Sequence, residues 1–174
     1  MRKLRADRGN SIVELPFVIW TVLLILFYPM VNYATVAIRS GFVFNAAQTA
    51  ALTASKARSY STSTTADPSA QELATSTAHA ALDSCSGIRI NSVETEIVIT
   101  KISDKTKSTT KTKLTSPPNL AENTYQLQVT VDTSVDPLIK IDSDTFGDIP
   151  GISSAYNLKV TQRHYVENSQ GLMR

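Results

Sequence analysis

The chain has 174 residues with 17 basic and 15 acidic side chains, and 42% of its residues are hydrophobic. This near-neutral balance does not favour a nucleic-acid-binding protein, because such proteins carry a marked excess of Lys and Arg. Two histidines and one cysteine are too few for an ordinary Cys/His zinc site, and a single cysteine cannot form an internal disulfide. We therefore predict no cofactor and no metal.

The N-terminal region combines a short basic leader with a long apolar run. Residues 1–9 hold four basic side chains against one acidic one, and residues 12–36 contain Glu14 as their only charged residue. A helix over that run reaches about 37 Å, which exceeds the roughly 30 Å of a bilayer's hydrocarbon core. The positive leader predicts a cytoplasmic N-terminus, with everything after the helix exported. A cleaved signal peptide has an apolar core of only about 7–15 residues, so we favour a membrane anchor.

The helix is predicted to continue beyond the membrane. Five residues recur at three- and four-residue intervals, which places them on one face of a helix: Ile38, Phe42, Ala46, Thr49 and Thr53. We expect that face to pack on a globular head. The prediction is a transmembrane helix with an exported amphipathic extension over 10–57, followed by a polar linker over 58–68.

A second helix is predicted at the start of a head domain that spans residues 69–174. Ser69 followed three residues later by Glu72 forms a capping box, which is a signal for a helix start. The helix should end near Asp83 and pack through a stripe of small side chains. The members of that predicted stripe are Leu73, Thr77, Ala80 and Ala81.

The rest of the head is predicted to be antiparallel β-sheet. Apolar and polar residues alternate over 124–131, and related patterns occur in 88–102 and 156–160. Such alternation indicates a sheet with one buried and one wet face. The polar stretch 104–123 predicts a mobile loop between the first two strands. The predicted fold class is α+β: a long transmembrane helix that extends into a small exported domain, where a helix packs on an antiparallel sheet.

The junction between the leader and the apolar run resembles the start of type IV pilins and pseudopilins. Gly9 precedes Asn10, and Glu14 stands at the fifth position after the glycine, just ahead of the apolar helix. The wider pattern RGxxxVELP is similar to the TadE-like family of the tight-adherence (Flp) pilus system. The head plan is similar as well, with a closing strand that contains Arg163 and Glu167. Asn10 replaces the Phe or Met usual in type IV pilins, which favours a TadE-like member.

That resemblance implies a role in assembly and not an enzyme. A prepilin peptidase would cut between Gly9 and Asn10, where the glycine lets the protease approach the backbone. The new amine at Asn10 would pair with the Glu14 carboxylate of a neighbouring subunit and so set the axial register, because a buried charge is costly unless it is paired. The implied partners are the peptidase, other pilin-like subunits in a hetero-oligomer, and the pilus assembly platform of the bacterial inner membrane.

A different class of function competes with this interpretation. In a plain single-pass anchor, Glu14 would snorkel to lipid headgroups, and Gly9 would not be a cleavage site. The chain would then be an unprocessed envelope-binding module or adhesin. An enzyme is disfavoured, since the sequence has no G-x-S-x-G elbow, glycine-rich phosphate loop or HExxH motif.

Three smaller features have ordinary structural explanations. Cys85 is either buried as a small apolar residue or bonded to another subunit. Residues 142–148 begin like a calcium loop, but Phe146 and Ser153 occupy ligand positions of the EF-hand pattern, which favours a polar turn. The lysines of 105–113 favour a solvated loop, because the aromatic platforms of single-strand nucleic-acid sites are missing from it.

Overall fold

The computed structural model describes residues 10–62, 64, 67–140 and 147–174, apart from the side chains of residues 10–13. Within these residues lie two α-helices and one antiparallel sheet of four strands in the order β2-β1-β3-β4. The predicted α+β class, with a long N-terminal helix and a helix-plus-sheet domain, is confirmed. The elements are α1 (Asn10–Ser55), α2 (Ala70–Leu82), β1 (Ile88–Lys101), β2 (Lys107–Thr110), β3 (Asn123–Val135), β4 (Tyr156–Tyr165) and a final 3-10 helix (Ser169–Met173).

Helix α1 is continuous and passes through both Pro16 and Pro29. Its lower half, residues 14–27, is exposed throughout, and the head begins to cover it at Tyr28. The upper half, residues 36–55, packs on the sheet and on α2. The buried positions of that half are mostly small: Val36, Val43, Ala46, Ala47, Ala50, Ala51, Ala54 and Ser55.

The packing face of the upper half differs from the predicted one. Ala46 is buried as expected, but Ile38 and Phe42 are 64% and 51% exposed, so their placement was wrong. The reason is that α1 and α2 meet through alanines on both helices. Small side chains let two backbones approach closely, and the large apolar side chains are then turned to the opposite side of α1.

Helix α2 begins and ends where the sequence predicts. The Ser69 hydroxyl accepts a hydrogen bond from the Glu72 amide at 3.3 Å, and Asp83 is the C-cap. The predicted stripe is wrong at Ala80 and Ala81, which are exposed, whereas Leu73 is half-buried against the core and Thr77 is half-buried. The buried row instead follows a strict four-residue spacing: Ala70, Ala74, Ala78 and Leu82.

The central strands of the sheet carry the core. Strands β1 and β3 pair from Ile88↔Val135 to Lys101↔Asn123, with a register shift between Ile90 and Ser92. The predicted inward row of β3 is confirmed, with all four side chains buried: Tyr125, Leu127, Val129 and Val131.

Strand β2 forms inside the stretch that was predicted to be a loop. It pairs with residues 97–100 of β1 and lies at one edge of the sheet. Its sequence, KSTT, has no apolar residue to alternate, so periodicity gives no sign of a strand. The loop prediction for 104–123 therefore fails at these four residues.

The segment after α1 is tied to the head by Tyr60, which is 1% exposed. Its hydroxyl donates to the carbonyl oxygens of Thr95 and Lys111, at 2.7 and 3.0 Å. Its amide donates to the carbonyls of Gly171 and Arg174. Burial raises the pKa of the Tyr60 phenol above its ordinary value. The upper end of α1 is thereby fixed to both the sheet and the last residues of the chain.

Candidate functional site: helix α1 and the loop that docks on it

The lower half of α1 presents an unbroken apolar surface. Its most apolar stretch has a mean hydropathy of 1.9 and is wholly unburied. Its one hydroxyl, on Thr21, donates to the Phe17 carbonyl at 2.8 Å and therefore needs no hydrogen-bond acceptor outside the helix. By length and composition, one helix in the described part of the chain could therefore cross a membrane.

The residues predicted for processing and assembly lie at the start of this helix. Gly9 and the side chain of Asn10 fall outside the described residues, although the backbone of Asn10 opens α1. The Glu14 side chain is exposed. The next charged residue along α1 is Arg39, about 37 Å higher on the helix axis. An acid and a base thus bracket the apolar surface.

Large apolar side chains are also exposed beside and above Arg39. We call these side chains together the outer face of α1, because the head leaves them exposed. It consists of Ile38, Phe42, Phe44 and Leu52, which are 64%, 51%, 52% and 37% exposed.

A loop between β3 and β4 returns to the lower part of α1. We call it the docking loop, residues 136–155, of which 141–146 lie outside the described residues. Asn32, which is 0% exposed, donates from Nδ2 to the Ile139 carbonyl at 3.0 Å and accepts from the Ile139 amide at 3.0 Å. The Tyr28 hydroxyl lies 2.9 and 3.1 Å from the carbonyl oxygens of Ile139 and Ile152, to which it donates.

The second half of the docking loop is held by its own turn. Gly151 has a φ of +82° and lies against Tyr33, whose Cε1 would be 3.5 Å from an added Cβ. The Ser153 hydroxyl accepts from the Ile149 amide and donates to the Gly147 carbonyl, both at 2.8 Å. Ser153 therefore closes a turn. The remainder of the predicted acidic turn, residues 142–146, lies outside the described residues.

Arg39 joins α1 to the lower edge of the head. Its guanidinium donates to the backbone carbonyl of Asp136, at the end of β3. It also lies over Gly87, where φ is +80° and an added Cβ would come within 2.5 Å of the Arg39 Cζ. The Asp136 carboxylate in turn pairs with Arg89 at 2.9 Å.

The wet face of the sheet carries a polar row across its strands. Glu96, Gln128 and Arg163 are aligned by the strand register. Gln128 Nε2 donates to Glu96 Oε2 at 3.0 Å, and Arg163 Nε donates to Gln128 Oε1 at 2.6 Å. Lys111 extends the row, lying 3.5 Å from Glu96 and 2.8 Å from Glu94. The Lys111 ammonium lowers the pKa of the Glu94 carboxyl.

The structure corrects the predicted position of Glu167 and shows the surroundings of Cys85. Glu167 does not lie in the closing strand with Arg163, because β4 ends at Tyr165 and Glu167 instead donates its amide to the Ser55 carbonyl. Cys85 is half-buried against the core, with its thiol 3.6 Å from the Ala81 carbonyl.

The histidines have ordinary partners. His79 pairs with Asp83 at 3.2 Å, and His164 lies 3.3 Å from the Ser55 hydroxyl, which donates to the Leu52 carbonyl. Among the residues that the structure describes, no three His, Cys, Asp or Glu side chains come together as metal ligands.

Asn32 is the residue of this site that the sequence interpretation missed. The available signal was a lone amide inside an apolar run, since a polar side chain in a membrane-length helix marks a contact or a function.

Comparison with known proteins finds no family model, no curated protein and no solved structure that matches the chain. Its function has to be inferred from its own residues.

Proposed function

We propose that this chain is a TadE-like pseudopilin or minor pilin, a non-enzymatic subunit of a tight-adherence pilus or a related secretion apparatus. In this proposal α1 holds it in the bacterial inner membrane as a single-pass protein, with the N-terminus cytoplasmic and the head exported. The resemblance of RGxxxVELP to that family supports the assignment. Its partners are the prepilin peptidase, other pilin-like subunits and the assembly platform.

The observation that carries this proposal is the length of the exposed apolar surface of α1. From Leu15 to Phe44 it rises about 44 Å, whereas the hydrocarbon core of a bilayer is about 30 Å thick. In a plain anchor, Phe42 and Phe44 of the outer face would lie above the membrane and remain exposed to water, which is unfavourable. Burial against helices of neighbouring subunits would remove those side chains from water, which is favourable at about 25 cal/mol per Å².

In this arrangement Glu14 sets the axial register between the α1 helices of neighbouring subunits. It lies one to two turns into α1, at the start of the apolar surface, where an unpaired carboxylate is costly. Peptidase cleavage after Gly9 would create an amine on Asn10 of the adjacent subunit as its partner. The pair would then favour one axial offset between neighbouring helices over all others.

Intact mass and N-terminal sequencing of the chain from native membranes test the processing step. A chain that begins at Asn10 supports the proposal. A chain that retains residues 1–9 contradicts it and favours an unprocessed envelope-binding module or adhesin. A start near Ile38 would contradict the membrane anchor itself.

Substitution of Glu14 tests the register role. For both Glu14→Ala and Glu14→Gln we expect at least about tenfold less incorporation into the apparatus, because stranding one partner of a buried ion pair costs about 3–5 kcal/mol. Processing after Gly9 should persist, which separates assembly from cleavage. Glu122→Gln, at an exposed acid of the head, is the matched control and should incorporate normally. Normal incorporation of Glu14→Gln would refute the charge-pair role.

A further inference from the structure

We infer that the described stretches of the docking loop, residues 136–140 and 147–155, form a second membrane contact, which inserts Leu138, Ile139 and Ile149 among the acyl chains of the same bilayer that holds α1. The inference rests on the membrane anchoring in the proposed function and adds a lipid-binding surface to the head. Its ligand is the phospholipid bilayer, recognised through apolar side chains and not through a headgroup pocket.

The depth of the contact follows from the helix itself. A hydrocarbon core of about 30 Å takes up roughly 20 residues of helix, so a core that begins at Leu15 ends near residue 35. Asn32 and Tyr28 then lie roughly 4 and 10 Å inside the outer boundary. Because both side chains hydrogen-bond Ile139, that part of the docking loop lies at the same depth.

Three backbone groups of the docking loop at this depth are satisfied by side chains of α1 and not by water. In hydrocarbon an unpaired amide costs several kcal/mol, so irregular backbone enters a bilayer only where protein groups satisfy it. Asn32 meets both the amide and the carbonyl of Ile139, and Tyr28 meets the carbonyl of Ile152. Ile139 presents its backbone to α1 and leaves its side chain 50% exposed.

The described part of the docking loop exposes apolar side chains at the level of the membrane, beside the charged residues Lys140 and Asp148. Leu138 is 57% exposed and Ile149 is 39% exposed. With α1, Ile139 closes an apolar groove of about 510 Å³ whose other walls include Trp20, Leu24 and Phe27. The groove continues the surface that α1 offers to lipid. Lys140, which is exposed directly after Ile139, can extend its ammonium to the headgroup level while its stem remains among apolar groups.

The test uses the full chain in phosphatidylcholine vesicles at high dilution, with and without bromine on the acyl chains. Bromine quenches only tryptophan that is in contact with the chains. The protein has one tryptophan, Trp20, so Trp20→Phe with Leu138→Trp moves the probe to the docking loop. Trp20→Phe with Leu120→Trp is the matched control, because Leu120 is 62% exposed but lines a groove together with Arg58, which follows the far end of α1.

We expect the probe at position 138 to lose as much emission in brominated vesicles as Trp20 does in the unaltered chain, and the probe at position 120 to lose none. Adding Asn32→Leu to the Leu138→Trp protein should weaken that quenching, because the docking loop then loses its hold on α1. Quenching of Trp20 without quenching at position 138 overturns the inference and leaves membrane anchoring intact.

Two further outcomes also overturn it. If neither probe is quenched and the chain does not float with vesicles, membrane anchoring fails as well. If position 138 is shielded from both bromine and aqueous iodide and the chains cross-link to one another, a second copy covers the groove in place of lipid.

Discussion

The lower and upper halves of α1 are equally helical, but they expose different kinds of surface. The lower half, residues 14–27, exposes every side chain, large or small, because the described part of the head reaches it only along the groove that Ile139 closes. The upper half buries alanines and exposes its larger residues, such as Ile38 and Phe42. Hydrophobicity alone therefore does not select the face of a helix that packs. In the upper half the size of the side chain selects it, since the closest approach to α2 is available only to small residues.

Enlarging a buried alanine should have the largest effect on this arrangement. Ala50 is 0% exposed, so Ala50→Leu is expected to lower the free energy of unfolding by about 1–3 kcal/mol through overpacking. The same helix offers a control in Phe42→Ala, which removes a large exposed side chain and should change stability by less than about 0.5 kcal/mol. Chemical unfolding of the full chain in detergent, followed by near-ultraviolet circular dichroism, measures both. A greater loss for Phe42→Ala would reverse the assignment of faces.

The junction between the two halves can be tested at Gly87. Gly87→Ala should cost about 1–2 kcal/mol, because the residue has a positive φ and the new Cβ would displace the Arg39 guanidinium. Gly41→Ala is the contrasting change. Nothing lies within 4 Å of a Cβ added there, so alanine should stabilise the helix by about 0.5–1 kcal/mol. Melting temperatures of the two variants should therefore move in opposite directions, and a shared direction would contradict the Arg39 contact.

The smallest effect is expected at the upper end of α1. Tyr60→Phe removes the donor to Thr95 and Lys111 and should cost about 1 kcal/mol. Tyr33→Phe, on a ring that is 49% exposed, is the control and should be nearly neutral.

Alkaline pH provides a second measure of Tyr60. Its pKa is raised in the fold, so the stability that it contributes is complete below about pH 10 and is lost as pH rises through the raised pKa. Tyr60→Phe should remove that part of the alkaline loss. An unchanged pH profile of stability in this variant would show that the phenol is not buried.

The sequence predicted most of the head because local signals there agree with the tertiary contacts. Ser69 caps α2, and the alternation from Tyr125 to Val131 marks the inward row of β3. The packing stripes of the two helices were missed for different reasons. Alanines lie on several sides of α2, so its composition does not select the buried row. On α1 the ranking of side chains by hydropathy was misleading. Hydropathy ranks Ile38 and Phe42 above alanine, whereas the contact between α1 and α2 is decided by how closely two backbones can approach.

The candidate site was harder to predict because its parts are far apart along the chain. Asn32 and Ile139 are separated by 107 positions. No local sequence pattern predicts that the side-chain amide of Asn32 forms hydrogen bonds with a loop after β3. Glu14 was identified from its position in the motif alone. The role proposed for it depends on neighbouring subunits.

Arg39 and Asn32 have a mechanical consequence. They attach the rest of the chain to one helix at two heights about 10 Å apart. Two points on one axis prevent the head from tilting on the helix, and the packing of residues 36–55 on the sheet and α2 prevents it from turning about that axis. Rotation of α1 would therefore turn the head with it, and the row through Glu96 and Arg163 would keep a fixed position around the helix axis.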